Sequence, residues 1–203
     1  MDGTITDSMV VWKNLGKNYL MEKGIKVPEN LNATISAMSM TQSANYFRKE
    51  FGITDCIEQI ISDVNQLIED MYRFEIQLKP YVKEYLTKLQ RDGVIMCVAT
   101  ATPVRLAEDA LKRLGVLQYF SFVVCCDEVG IGKSEPNIYY LALEKMESDI
   151  EDTMVYEDAD YAMNTAKVAG FYTIGVYDKF ADKPKEEMKL LCDRYIDSFA
   201  CLL

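Results

Sequence analysis

The sequence predicts an α/β fold: a parallel sheet with helices on both faces, carrying an inserted all-helical block near its N-terminal end. Three observations predict it. From Pro80 onward, short apolar runs alternate with stretches of helical length and periodicity, the pattern of a parallel sheet whose crossovers are helices. From Ser8 to about Leu78 every segment reads as helix and none as strand. Hydroxyl, lysine and carboxylate residues follow the apolar runs, and sheets of this kind bind ligands at the carboxyl ends of their strands. The expected boundaries are 1–8 with 79–203 for the sheet domain and 9–78 for the helical block.

Within the block, Val10, Val11, Leu15, Tyr19 and Leu20 recur at near-helical spacing, and Gly24 can end that helix in a left-handed cap. Val27-Pro28 breaks the chain. Residues 31–38 read as a short helix. Thr41 is expected to cap a helix that runs to Phe51 and closes at Gly52. Thr54 opens a long amphipathic stretch with Cys56, Ile57, Ile60, Ile61, Val64, Leu67, Ile68 and Met71 on one face.

In the sheet domain, Pro80 suits the first turn of a helix reaching Leu89, with Asp92-Gly93 ending it. The continuous apolar run 94–99 is expected to be a buried parallel strand. Helix 103–114, strand 120–126, helix 136–146, strand 153–156 and helix 160–169 follow. Strand 172–176, helix 183–192 and a last short strand at Tyr195-Ile196 complete the alternation.

A chain of 203 residues can bury a real core. Its formal net charge of −10 argues against a nucleic-acid partner, which needs a basic face. A phosphorylated ligand stays compatible, because a lysine and a metal can reverse the field inside a cleft. No histidine is present. That removes Ser-His-Asp and Cys-His catalysis and leaves acid–base work to carboxylates, Lys, Tyr or Cys. The six cysteines lack metal-like spacing and most sit in apolar runs, so buried thiols and a reducing cytoplasm are expected. No apolar run approaches the roughly 20 residues that span a bilayer, and no signal peptide is visible.

Four segments carry candidate chemistry. Thr100 ends a predicted strand, and the helix starting near Pro103 offers free N–H groups beside it; a hydroxyl beside a helix N-terminus can cradle phosphate. The plain alternative is a Thr-rich turn with Thr102 as an N-cap. Lys133 sits in Gly130-Ile131-Gly132-Lys133-Ser134-Glu135-Pro136, where it could act as a point charge on a phosphate; as a lone loop lysine it would be solvated surface. The spacing of those glycines is not that of a P-loop. Glu157 and Asp158 follow the strand 153–156 and offer hard oxygen ligands for Mg²⁺, or serve only as helix-start charge. Asp2-Gly3-Thr4 is by itself a common tripeptide.

In this order, Asp2-Gly3-Thr4, Val98-Ala99-Thr100-Ala101-Thr102-Pro103, Gly132-Lys133-Ser134-Glu135-Pro136 and Val155-Tyr156-Glu157-Asp158 resemble the haloacid dehalogenase-like (HAD) superfamily, and within it the β-phosphoglucomutase-like phosphatases. The branch's usual Glu-Asp-Ser-x-x-Gly is here Glu157-Asp158-Ala159-Asp160-Tyr161-Ala162, which keeps the acid pair. The resemblance implies a Mg²⁺-dependent phosphatase acting on a small phosphorylated metabolite of sugar-phosphate kind. Thr100, Ala101 and Lys133 would hold the phosphate, while Asp2, through its main-chain carbonyl, would join Glu157 and Asp158 on the metal. The Asp2 carboxyl would act as general acid, then base.

In the family the motif runs Asp-x-Asp-Gly-Thr after a hydrophobic strand, and its first aspartate takes the phosphoryl group. Met1 stands at the x. The expectation is therefore a chain clipped ahead of its nucleophile and inactive as given, which folds poorly or shows a slot or rearranged pairing between strands 94–99 and 153–156.

The block 9–78 falls where the branch inserts its cap. Trp12, Tyr46, Arg48 and Lys49 are the candidates for substrate selection; Met9, Met38 and Met40 read as core filling, and Lys13, Lys17 and Lys23 as helix surface. A phosphosugar mutase fits less well, since resembling mutases use a cap histidine. A non-catalytic protein that binds a phosphorylated ligand or a protein partner is the alternative from another class.

Overall fold

A computed structural model describes residues 1–203. Helix α1 (Met9–Glu22) ends at Lys23, with Gly24 beyond it at φ +70°. Helix α2 (Leu31–Ile35) is shorter than the expected 31–38. Helix α3 (Met40–Phe51) is capped by Ser39, not Thr41. The Ser39 hydroxyl accepts from the Gln42 N–H at 3.2 Å, and the Gln42 carboxamide accepts from the Ser39 N–H at 2.9 Å. This reciprocal pairing satisfies two donors where a Thr41 cap would satisfy one. Helix α4 (Ile57–Asp70) runs into one wider π-turn, Met71–Glu75. Its face of Ile60, Val64 and Ile68 continues through Tyr72 and is buried against α1 and α3.

The second texture is also present. Helix α5 (Val82–Arg91) begins after Tyr81, which adopts φ +65°, so Pro80 lies outside its first turn. Then come β1 (Val98–Thr100), α6 (Val104–Arg113), β2 (Val123–Cys125), α7 (Asn137–Met146), β3 (Met154–Glu157), α8 (Asp160–Val168), β4 (Tyr172–Val176), α9 (Lys185–Leu191) and β5 (Arg194–Ile196). All strand pairs are parallel. Helices α6 and α7 pack on β1 and β2, and α8 and α9 on the other strands.

The strands form two sheets, β1–β2 and β3–β4–β5, so the strands expected over 94–99 and 153–156, between which a slot or rearranged pairing is expected, stand in different sheets. No segment of the chain pairs with β1 on its side away from β2, or with β3 on its side away from β4. The strand expected over 94–99 shrinks accordingly. Val94 and Ile95 are 46% and 61% exposed, so that apolar run is not a buried strand along its length. The strand expected over 120–126 narrows to the three residues that find partners in β1. One continuous core nevertheless links the helical block to both sheets, from Leu20 and Ile60 through Leu106 to Val176 and Ile196. No helix is long and apolar enough to cross a membrane.

Candidate active site

The first residues form a tight turn, with the Met1 carbonyl accepting from the N–H groups of Ile5 at 2.9 Å and Thr6 at 3.1 Å. Gly3 takes φ +68°, and a Cβ there would overlap the Asp158 carboxylate. Only glycine meets both conditions, so the turn and the acid at the end of β3 are packed as one unit. Thr4 ties them further, its hydroxyl donating to Asp158 Oδ1 at 2.8 Å.

The Asp2 carboxylate faces three hydroxyl donors. Ser8 at 2.6 Å and Tyr72 at 2.5 Å donate to Oδ1, and Thr102 at 2.6 Å donates to Oδ2. Thr102 therefore spends its hydroxyl on Asp2; the residue at the N-cap position of α6 is Pro103. Tyr72 is fully buried, accepts from Trp12 Nε1 at 2.7 Å, and has its phenol held well above the usual value by burial and by the Asp2 charge. It stays a proton donor. Neither Tyr72 nor Ser8 is singled out by the sequence.

Lys133 is buried to 9% exposure, and its ammonium donates to Glu157 Oε1 at 2.5 Å. Burial works against that charge, but the neighbouring Glu157 carboxylate outweighs it and raises the lysine above its ordinary value. Tyr139 donates to the same oxygen at 3.0 Å. The loop lysine is thus a buried, permanently charged group and not the solvated surface residue that sequence alone allows.

Asp158 is equally buried but poorly compensated. Burial, and then the charge of Glu157, push its carboxyl up to about 7, against the Thr4 hydrogen bond and the N-terminal ammonium. No hydrogen bond within the chain reaches Asp158 Oδ2 or Glu157 Oε2, and none reaches the Asp2 main-chain carbonyl. No three carboxylates, thiols or imidazoles converge. Two carboxylates with a carbonyl nonetheless fit Mg²⁺, which takes few protein ligands and keeps waters, and a cation would relieve the strain on Asp158.

Asp2, Thr100, Ala101, Lys133, Glu157 and Asp158 all line one cavity of about 190 Å³. Thr100 accepts from the Thr102 N–H at 3.1 Å, leaving its own hydroxyl proton free to donate. Of the four selection candidates in the helical block, only Trp12 lines the cavity. Tyr46 instead packs edge-on to Phe51 at 5.8 Å, and Lys49 is exposed beside Glu50. Of the methionines expected as core filling, Met40 is in the core and also touches the cavity, while the half-buried Met9 and Met38 are wall residues.

The loop carrying Lys133 is held by the helical block. Gln42 Oε1 accepts from the Gly132 N–H at 2.9 Å while capping α3, and Tyr161 donates to the Ser36 carbonyl at 2.6 Å. A Cβ on Gly132 would overlap the Ala37 carbonyl. Gln42→Ala leaves two N–H groups without an acceptor and is expected to lower the unfolding free energy by about 2 kcal/mol. Gln42→Glu, which keeps the acceptor, should retain most of it in denaturant titration.

Comparison with known proteins bears on this constellation. A family model described as haloacid dehalogenase-like hydrolase matches residues 1–176. The match starts at Met1 and gives no support to the expectation of an inactive chain. The phosphorylated carbohydrates phosphatase of Thermotoga maritima is 27% identical over 174 residues, covering 86% of this chain and 81% of its own. The fructose-1-phosphate phosphatase YqaB of Escherichia coli is 33% identical over 188 residues, covering 87% and 93%. In fold, the chain is similar to CbbY from Rhodobacter sphaeroides, solved in complex with phosphate, at TM-score 0.82 and 22% identity over 100% of this chain and 93% of that one.

Proposed function

Since the chain belongs to the haloacid dehalogenase-like hydrolase family, we propose that it is a phosphatase that hydrolyses phosphomonoesters of small metabolites. The observation that carries the proposal is the convergence of Asp2, Thr100, Lys133, Glu157 and Asp158 on one cavity. The relatives named for phosphorylated carbohydrates and for fructose 1-phosphate make sugar phosphates the first substrate class to test. Residues 9–78 act as a cap over the domain formed by 1–8 and 79–203, excluding bulk water when closed. A reducing cytoplasm suits six free thiols.

In this reading, the Thr100 hydroxyl and the backbone N–H of Ala101 hold phosphate oxygens, and Lys133 offsets their charge in a water-poor site. Glu157, Asp158 and the Asp2 carbonyl would hold Mg²⁺, which when bound supplies further positive charge against the phosphoryl oxygens. Asp2 moves the protons: its carboxyl protonates the departing ester oxygen, and its carboxylate then takes a proton from water. The donors Ser8, Tyr72 and Thr102 keep it oriented. In the family motif the phosphoryl acceptor is an aspartate two positions ahead of the one that Asp2 matches.

The test is Mg²⁺-dependent phosphate release from an aryl phosphate, by the chain as given and by the same chain preceded by an apolar strand that places an aspartate at that position. Release by the extended form, abolished by a chelator, supports the proposal. Release by the chain as given would reassign the acceptor. Absence of release from both, with both folded, would favour a binding protein.

A further inference from the structure

The reading above leaves the organic part of the substrate open, and the cavity wall narrows it. The phosphate end is polar, but the remainder runs between α1, α3 and α4, against Met9, Ile35, Met38, Met40, Phe47 and Ile61. The polar side chains on that wall are largely committed elsewhere. Trp12 Nε1 donates to Tyr72 at 2.7 Å, Asn32 Nδ2 to the Lys13 carbonyl at 2.7 Å, and Lys13 pairs with Asp182 at 3.4 Å while lying over the Phe180 ring. On the opposite wall, Tyr161 is bound to the Ser36 carbonyl, and Asp160 to Lys183 at 3.1 Å. The hydroxyls of Ser36 and Ser43, the Asn32 amide oxygen and the outer edges of the Lys13–Asp182 and Asp160–Lys183 pairs are what remain for a ligand.

A sugar body carries a hydroxyl on nearly every carbon. Each one buried without a partner loses about tenfold in affinity. An apolar body has the opposite balance, because it covers the part-exposed surface of Met9, Ile35, Met38 and Ile61. Size agrees: a dry apolar cavity of about 150 Å³ accepts benzene, and this one, at about 190 Å³, also includes the phosphate end.

We propose that this site takes phosphomonoesters whose alcohol part is a compact apolar group about one ring in size, aryl or alicyclic, in preference to phosphorylated polyols. The proposal rests on the phosphatase reading and narrows its substrate class. The reaction stays a hydrolysis: the phosphorus–oxygen ester bond breaks, the leaving oxygen takes a proton from Asp2 and departs as the free alcohol, and water delivers the oxygen that completes inorganic phosphate.

The test is binding, which needs no turnover. The full chain is titrated calorimetrically in Mg²⁺ with inorganic phosphate, with benzylphosphonate and with a non-hydrolysable hexose phosphonate. Benzylphosphonate is expected to bind at least tenfold more tightly than inorganic phosphate, and the hexose phosphonate no more tightly than inorganic phosphate. The preference over the hexose should lie between about 10- and 100-fold, the range an apolar wall imposes on hydroxyl-bearing ligands. Ile61→Asn should weaken benzylphosphonate about tenfold and leave inorganic phosphate within twofold; Met38→Gln, half-exposed, serves where Ile61→Asn fails to fold. Equal or tighter binding of the hexose phosphonate overturns the proposal and leaves the phosphatase reading standing. Failure of all three ligands to bind overturns both.

Discussion

Lys133→Met is expected to lower Mg²⁺-dependent phosphate release by about 10³-fold, the size of effect seen when one preorganised donor to a developing anion is removed. It should also destabilise the fold, because Glu157 Oε1 then loses its only cation at a site where both residues are buried. Breaking one side of a buried ion pair costs about 3–5 kcal/mol, a large share of the roughly 5–15 kcal/mol that holds a domain together. The two losses are separable. Adding Glu157→Gln to Lys133→Met removes the orphaned charge while Tyr139 keeps an oxygen to donate to. The double variant should recover most of the stability in denaturant titration and none of the activity, measured in whichever form of the chain releases phosphate. Recovery of activity with stability would mean that Lys133 serves the fold alone. Full stability of Lys133→Met by itself would contradict the buried pair.

The contrast between Lys133 and its surroundings marks what a sequence can say about such a site. Thr100, Lys133, Glu157 and Asp158 are legible because each is set by local chain: a strand ends, and the next residues emerge at the sheet edge. The alternation of elements is legible for the same reason, and strand 172–176 appears with the bounds expected. What depends on distant partners is not. Tyr72 reaches Asp2 only because a π-turn ends α4 beside a turn seventy positions earlier in the chain, and no periodicity announces that. The run 94–99 has the composition of a buried strand, but pairing, not composition, sets strand length, and only its end finds a partner. Tyr46, Arg48 and Lys49 stand off the cavity because the face of α3 that meets it carries Met40, Ser43, Ala44 and Phe47. The Ser39 cap is different: Ser39-Met40-Thr41-Gln42 carries the capping-box spacing in plain sight, and Thr41 has no Glu or Gln three residues on to match it.

Asp158→Asn is expected to make the metal-free protein more stable at neutral pH while removing its dependence on Mg²⁺. The sign follows from the carboxyl's position at about 7 in the folded chain against an ordinary 3.8, caused first by burial and then by the Glu157 charge. A carboxyl raised on folding contributes stability that is fully present below the unfolded value and is lost as pH rises through the folded one. Asparagine carries no such loss and can still accept from Thr4. The difference in unfolding free energy between Asp158→Asn and the parent should therefore be small at pH 4 and grow through pH 5–7. It should level off near pH 8 on the order of 4 kcal/mol in favour of asparagine, about three units at 1.36 kcal/mol each. Taking the difference matters, because the buried Met1 amino group, lowered first by burial and then by Lys133, works in the opposite sense in the parent. Mg²⁺ should reverse the order: the parent gains stability on binding the ion and the variant does not, since a neutral amide gives a hard cation little in return. Phosphate release should vanish in the variant at every Mg²⁺ concentration. A difference that is flat with pH would show that Asp158 is ionised at no cost, and a variant still stabilised by Mg²⁺ would place the ion elsewhere.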